Sequence, residues 1–249
     1  MDPATIIAGL IAAVIFVFAV LYSSTGEDAA PGFLAALALY GMSPLTMKPA
    51  ALSLTVIVAL VSTIRFYRSG FFSWRTFWPF AAASIPASVL GANLGLSDFF
   101  YRIVVSLVLL YSAARLIFSG EANIKKKTAG FPIPLALLLG AAIGLLSGLA
   151  GVGGGIFLSP LLLMGSSRAD EVRGVSAAFV LVNSMAGLIV SGPTVPFLLS
   201  DMVYWAPAAL VGAWIGTELD MRAMPVVHIR QGLSLILVVG SLRLMSGML

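Results

Sequence analysis

Ten apolar segments follow one another along this chain, and eight of them approach the roughly 20 residues that a helical membrane span needs. They are Ala4–Tyr22, Pro31–Gly41, Pro49–Ile64, Thr76–Leu96, Phe99–Phe118, Pro132–Ala150, Gly155–Gly165, Gly174–Ser191, Met202–Leu219 and Ile229–Met248. Lipid offers no hydrogen-bond partner, so each segment must satisfy its own backbone as helix. The fold class that follows is an all-α polytopic membrane protein. Charged residues make up 10% of the 249 positions, against about 25% in a soluble domain. No stretch is long or polar enough for a separate soluble domain, so residues 1–249 read as one transmembrane domain. The first 22 residues lack a basic leader and begin Met1-Asp2, which reads as a retained helix and not as a cleaved signal peptide.

The break at Gly151-Val152-Gly153-Gly154-Gly155 is the next constraint. Each glycine costs about 1 kcal/mol relative to alanine in a helix interior. The freed backbone groups must then be buried in protein or line a polar cavity. Upstream, Gly140, Gly144 and Gly148 are four apart, a small-residue seam that lets two helix backbones touch. In that seam Gly144→Ala is expected to be mild. The break itself exceeds what packing requires, and a short helix starts directly after it. A half-helix N-terminus presents unpaired N–H groups and about +0.5 charge, so its natural ligand is an anion.

Two segments, Pro31–Gly41 and Gly155–Gly165, are too short to span, and each is second in a set of five. That regularity suggests a duplication, repeat one over 1–120 and repeat two over 131–249. Arg102 and Arg115 match Arg230 and Arg243, Gly91 falls on Gly216, and Ala51-Leu52-Ser53 falls on Gly174-Val175-Ser176. The frame drifts by a few residues between these anchors. Five segments per copy put the second copy upside down, with a short broken or re-entrant helix pair in each. Inverted repeats of this kind are a transporter signature.

Charge supports one orientation. With Arg65–Arg75, Ser119–Gly130, Ser166–Arg173 and Glu218–His228 in the cytoplasm, eleven of the 14 Lys and Arg residues lie inside. Lys48, Arg102 and Arg243 remain outside. Both termini come out on the outer face. Aromatic residues around Phe66–Trp78, and Tyr204-Trp205 on the other side, behave as interface belts. The net charge of +4 is a topology determinant and no nucleic-acid footprint. There is no cysteine and one histidine, His228. That removes thiol chemistry and leaves no basis for a metal site, a cofactor or a Ser-His-Asp type of enzyme.

Substrate-binding candidates are the loop glycines Gly151, Gly153, Gly154 and Gly155. Ser147, Ser176, Asn183, Ser24 and Ser53 are the polar side chains placed near the breaks. Asn183 serves equally as an interhelical hydrogen bond or a ligand contact. The matching stretch of repeat one, Ser23-Ser24-Thr25-Gly26-Glu27-Asp28, carries hydroxyls and two acids. Its acids read first as part of a solvated outer turn, and alternatively as a buried carboxylate that trades protons during transport. The four arginines near helix ends read as snorkelling anchors. Gly154→Val is expected to block transport while the protein still inserts.

Gly144–Pro160, GLLSGLAGVGGGIFLSP, resembles the glycine-rich signature of the sulfite exporter TauE/SafE family of membrane permeases. Gly174-Val175-Ser176, Asn183-Ser184 and Gly187 are similar to its second repeat, and Lys48–Ser53 with Arg65–Trp74 to its first. The resemblance implies transport of small sulfur-containing anions, such as sulfite or organosulfonates, across the cytoplasmic membrane. Family members often carry a second glycine-rich break in repeat one, where this chain has Ser23–Asp28. An anion channel, or a carrier of another small organic anion, is the alternative. The partners expected are the anion and the lipid bilayer.

The orientation is testable because the chain has no native cysteine. A cysteine at Ser69 or Thr128 is expected to resist an impermeant thiol reagent in intact cells, and one at Thr194 to react. The reverse labelling overturns the orientation. Labelling of Thr128 and Thr194 from the same side overturns the inversion.

Overall fold

A computed structural model describes residues 3–118, 131–165, 169–191, 199–219 and 227–246. Most of the loops Ser119–Gly130 and Gly192–Asp201, together with the His228 and Arg230 side chains, lie outside the described residues. The described chain is ten helices: α1 (Pro3–Thr25), α2 (Ala30–Tyr40), α3 (Pro44–Arg68), α4 (Trp74–Asn93), α5 (Asp98–Phe118), α6 (Ile133–Ala150), α7 (Gly155–Gly165), α8 (Ala169–Ser191), α9 (Leu199–Glu218) and α10 (Val227–Ser246). By length and composition α1, α3, α5, α6 and α8 are apolar enough to cross a membrane. The helices extend beyond the apolar segments where a polar turn is good helix. Asp170 and Glu171 open α8, where acids favour a helix N-terminus. Pro49 lies in the second turn of α3, where it removes one i→i−4 hydrogen bond.

The helix bounds recur along the chain in a single frame, more regularly than the residue matches. A single shift of 125 residues carries Gly26 to Gly151, Ala30 to Gly155, Tyr40 to Gly165, Trp74 to Leu199 and Gly91 to Gly216. The frame does not drift between α1 and α9, and under it Ser53 falls on Ala178, not on Ser176. Only α10 departs, displaced by the longer segment between it and α9.

The halves interlock. α4 packs along α6 of the other half, and α9 along α1 in the same way, while α3 pairs with α8 and α5 with α10. Glycine backbones make the first two contacts. Gly140, Gly144 and Gly148 of α6 lie against the backbones of Phe80, Ser84 and Ser88 of α4. Gly91 of α4 meets Leu145, and its counterpart Gly216 of α9 meets Val20. In lipid such close approach, and not expulsion of water, drives helix association.

Each short helix sits inside its own core. Nine of the eleven residues of α2 are buried, with Phe33 and Leu37 packed among Phe18, Met47, Leu109, Trp205 and Leu237. Around α7, Leu158 and Leu162 meet Phe80, Ile143, Val175 and Phe179. Large apolar side chains on the outer faces, among them Leu10, Trp74, Leu90, Leu107, Leu138, Ile189 and Trp214, form the surface that lipid covers. At the ends of α3 and α9, Arg65 pairs with Glu218, and its guanidinium lies 4.1 Å from the centre of the Trp214 ring.

The seam contradicts the mild outcome expected for Gly144→Ala. A Cβ there would stand 2.7 Å from Ser84 Cα, a backbone atom that cannot swing away. Gly144→Ala is therefore expected to lower stability by about 1–3 kcal/mol through overpacking. Gly9→Ala, whose Cβ would point into open space in the interior of α1, is the control and is expected to leave stability unchanged or to raise it. Thermal unfolding of the detergent-solubilised variants checks both.

Candidate functional site

The two breaks meet at the centre of the structure, and their geometry follows from matched caps. α6 ends at Ser147-Gly148-Leu149-Ala150, and Gly151 takes the left-handed conformation at φ 74°. Its N–H and that of Val152 both donate to the Ser147 carbonyl, at 2.9 and 3.1 Å. In repeat one Gly26 takes φ 69°, and Glu27 N–H donates to the Tyr22 carbonyl at 3.1 Å. This double cap turns each chain sharply off its helix. Four residues later each chain re-enters helix, at Ala30 and at Gly155.

Asp28 lies between these re-entry points. Its Oδ1 accepts from Ala30 N–H at 2.9 Å, and its Oδ2 accepts from Gly154 N–H of the other half at 2.9 Å. The Gly153 N–H is directed at the same carboxylate. One carboxylate therefore caps the N-termini of both short helices, where the partial positive charge of each favours an anion. Asp28 is fully buried. The expectation of a solvated turn is overturned for it, because the two helix ends supply the donors that water would otherwise give.

Its neighbour Glu27 is half-buried and pairs with Arg115 of α5 at 2.8 Å. Arg115 is thus an internal partner and not a snorkelling anchor. Glu27 also borders a narrow cleft between α3 and α8, lined by Ala29, Thr55, Val58, Ser62, Ala177 and Val180. Two cations flank the breaks at positions related by the 125-residue shift. The Lys48 stem covers Gly151, and the Arg173 backbone covers Gly26.

The glycines of the second break fit close contacts. A Cβ on Gly153 would stand 2.8 Å from Ser184 Oγ, and one on Gly155 would stand 3.4 Å from Asp28 Cβ. Gly154 has φ 81°, a conformation side chains rarely adopt, and a Cβ there would also press on Ile143 and Phe179. Gly154→Val therefore disturbs the backbone as well as any ligand contact at the loop, and it does not separate the two.

The polar candidates divide by partner. Ser147 Oγ donates to the Val152 carbonyl and ties the break to α6. Ser176 Oγ accepts from Ser159 of α7 at 3.1 Å. Asn183 Oδ1 accepts from Ser84 Oγ at 2.6 Å, and its Nδ2 donates to the Phe179 carbonyl at 2.9 Å. That fastens α8 to α4. Ser24 and Ser53 donate to their own helix, to the carbonyls of Leu21 at 2.6 Å and Pro49 at 2.8 Å. The geometry brings together the glycines, Asp28 and Ser184, which sequence reasoning had left in the background. Ser184 Oγ is fully buried beside Gly153 and has no hydrogen-bond partner among the described residues. A signal for Asp28 exists in the sequence, since an acid ahead of Ala29-Ala30-Pro31 marks a helix start with proline in the first turn.

The family model of the sulfite exporter TauE/SafE matches residues 5–244. This chain belongs to that family. A relative from Sinorhizobium fredii (strain NBRC 101917 / NGR234), described as probable membrane transporter protein y4hK, is 35% identical over 237 residues. The match covers 92% of this chain and 95% of the relative. No solved structure matches. TauE/SafE membership makes the chain a multi-pass protein of a membrane-transporter family.

The orphaned hydroxyl is separable from the fold. Ser184→Ala removes a buried group that lacks a partner, so it is expected to leave the unfolding temperature unchanged or to raise it. A clear loss of stability would show that the hydroxyl has a structural partner.

Proposed function

We propose that this protein is a carrier of small sulfur-containing oxyanions, sulfite or organosulfonates, in the cytoplasmic membrane. The anion is held where the two breaks cross. One observation carries the reading: N–H groups from two half-helix N-termini, one per repeat, converge on a single anionic group at Asp28. A small oxyanion leaving water needs several donors at once, because one hydrogen bond does not offset its desolvation. The Gly153 and Gly154 amides, the Ala30 amide and the Ser184 hydroxyl are such a set. They hold charge without a fixed cation, which suits a ligand that must also leave. The Lys48 side chain stands beside Gly151 and attracts anions toward the second break. Alternating exposure of a central site between two interlocked repeats is how carriers with discontinuous helices operate. The family description names sulfite export, and export is the direction this reading takes.

Purified protein in liposomes tests it. Saturable flux of at least one of sulfite, methanesulfonate, isethionate and sulfoacetate is expected. Ser184→Ala should weaken apparent affinity by about tenfold, or about 1.4 kcal/mol. Conductance without saturation makes the protein a channel, and absence of flux for the whole panel overturns the reading.

A further inference from the structure

The proposed substrate and Asp28 cannot hold the same donors together. The Gly154 and Ala30 amides each point at a carboxylate oxygen, and two anions in that space would repel each other in a medium of low dielectric. Asp28 is tethered and fully buried, and backbone amides compensate its charge. Its charge can be removed in place only by a proton.

We propose that Asp28 couples transport to protons: its carboxylate and the transported anion compete for the same two helix N-termini, and the anion binds when Asp28 takes up one proton. The inference rests on the anion-carrier reading. In the resting state the carboxylate caps α2 and α7. On protonation one O–H bond forms, the carboxyl becomes neutral, and the amides of Gly153, Gly154 and Ala30 turn to the incoming anion. When the anion leaves, the carboxyl releases its proton and recaps both helices. One proton travels with each anion, so movement of a monoanion is electroneutral.

The surroundings fit exchange better than a fixed structural cap. A static cap needs only its own helix, yet Asp28 reaches across to the other repeat. Ser184 Oγ, buried and unpartnered beside Gly153, is a donor that the carboxylate leaves unused. The charged and titratable groups around Asp28 are few. Glu27 precedes it, paired to Arg115 of α5, and Tyr22 of α1 lies within electrostatic range. Lys48 of α3 and Arg173 of α8 stand at the two glycine caps, while α6 and α7 contain no ionisable residue. Glu27 borders the cleft between α3 and α8 along with the Thr55 and Ser62 hydroxyls, which gives protons a polar approach to the site.

The test uses the full chain in liposomes containing a pH-sensitive dye. The probes are methanesulfonate and isethionate, monoanions that stay ionised throughout the pH range used. An inward gradient of either probe is expected to acidify the lumen of wild-type vesicles. Apparent affinity should fall by about tenfold per pH unit once the carboxylate form dominates, because rising pH populates the competitor. In Asp28→Asn the affinity should become flat with pH and proton movement should vanish, while exchange of labelled for unlabelled probe persists. Wild-type flux without proton movement and with pH-independent affinity overturns the coupling and leaves the carrier reading standing. That measurement needs no variant, so a poorly folding Asp28→Asn does not protect the proposal. Proton-coupled flux retained in Asp28→Asn also overturns it. Failure of wild-type protein to move any anion of the sulfur panel overturns the carrier reading and the coupling together.

Discussion

The contact of Asp28 with the Ala30 amide of α2 and the Gly154 amide just ahead of α7 joins the two halves of the molecule. A helix that begins inside a membrane protein leaves N–H groups that lipid cannot satisfy. Here two such helices begin side by side, and one carboxylate answers both. The caps that turn the chain at Gly26 and Gly151 aim both starts at the same point. The surrounding cores, Phe33 and Leu37 around α2 and Leu158 and Leu162 around α7, hold the short helices in place.

Packing between the two halves surrounds this centre. α4 and α9 pack with the first helix of the opposite half, so neither repeat has a complete helix bundle of its own. Glycine seams bring those backbones into contact, and hydrogen bonds from Ser84 to Asn183 and from Thr76 to Glu171 tie α4 to α8. Polar groups that looked equally suited to binding an anion are largely engaged in this framework. Ser147, Ser176 and Asn183 are examples, each with a partner inside the protein. The functional reading consequently narrows to backbone amides, Asp28 and the Ser184 hydroxyl.

Repeat one and repeat two differ where the difference bears most on function. The 125-residue shift places Asp28 on Gly153 and Glu27 on Val152. A symmetric protein with glycine at both places would leave the crossing to amides alone. This chain sets a charge in one half and open glycine in the other. Under the proposed coupling its fixed acid and the incoming anion are rivals for one position, and a resemblance in the glycine loop alone does not reveal that.

Hydropathy by itself determined the helical membrane fold, the two short helices and the break before Gly155, because lipid leaves apolar chain no other way to satisfy its backbone. The four-residue spacing of Gly140, Gly144 and Gly148 was legible as a seam for the same reason, since helical periodicity puts them on one face. The sequence did not disclose which helix that seam meets, nor that Ser84 leaves no room for a methyl group at Gly144. It also left Asp28 ambiguous. A carboxylate in a turn reads alike whether water or two helix ends surround it, and only tertiary structure brings residue 154 to residue 28. Long-range pairing of that kind has no local signal, because its donors are backbone amides that every sequence carries.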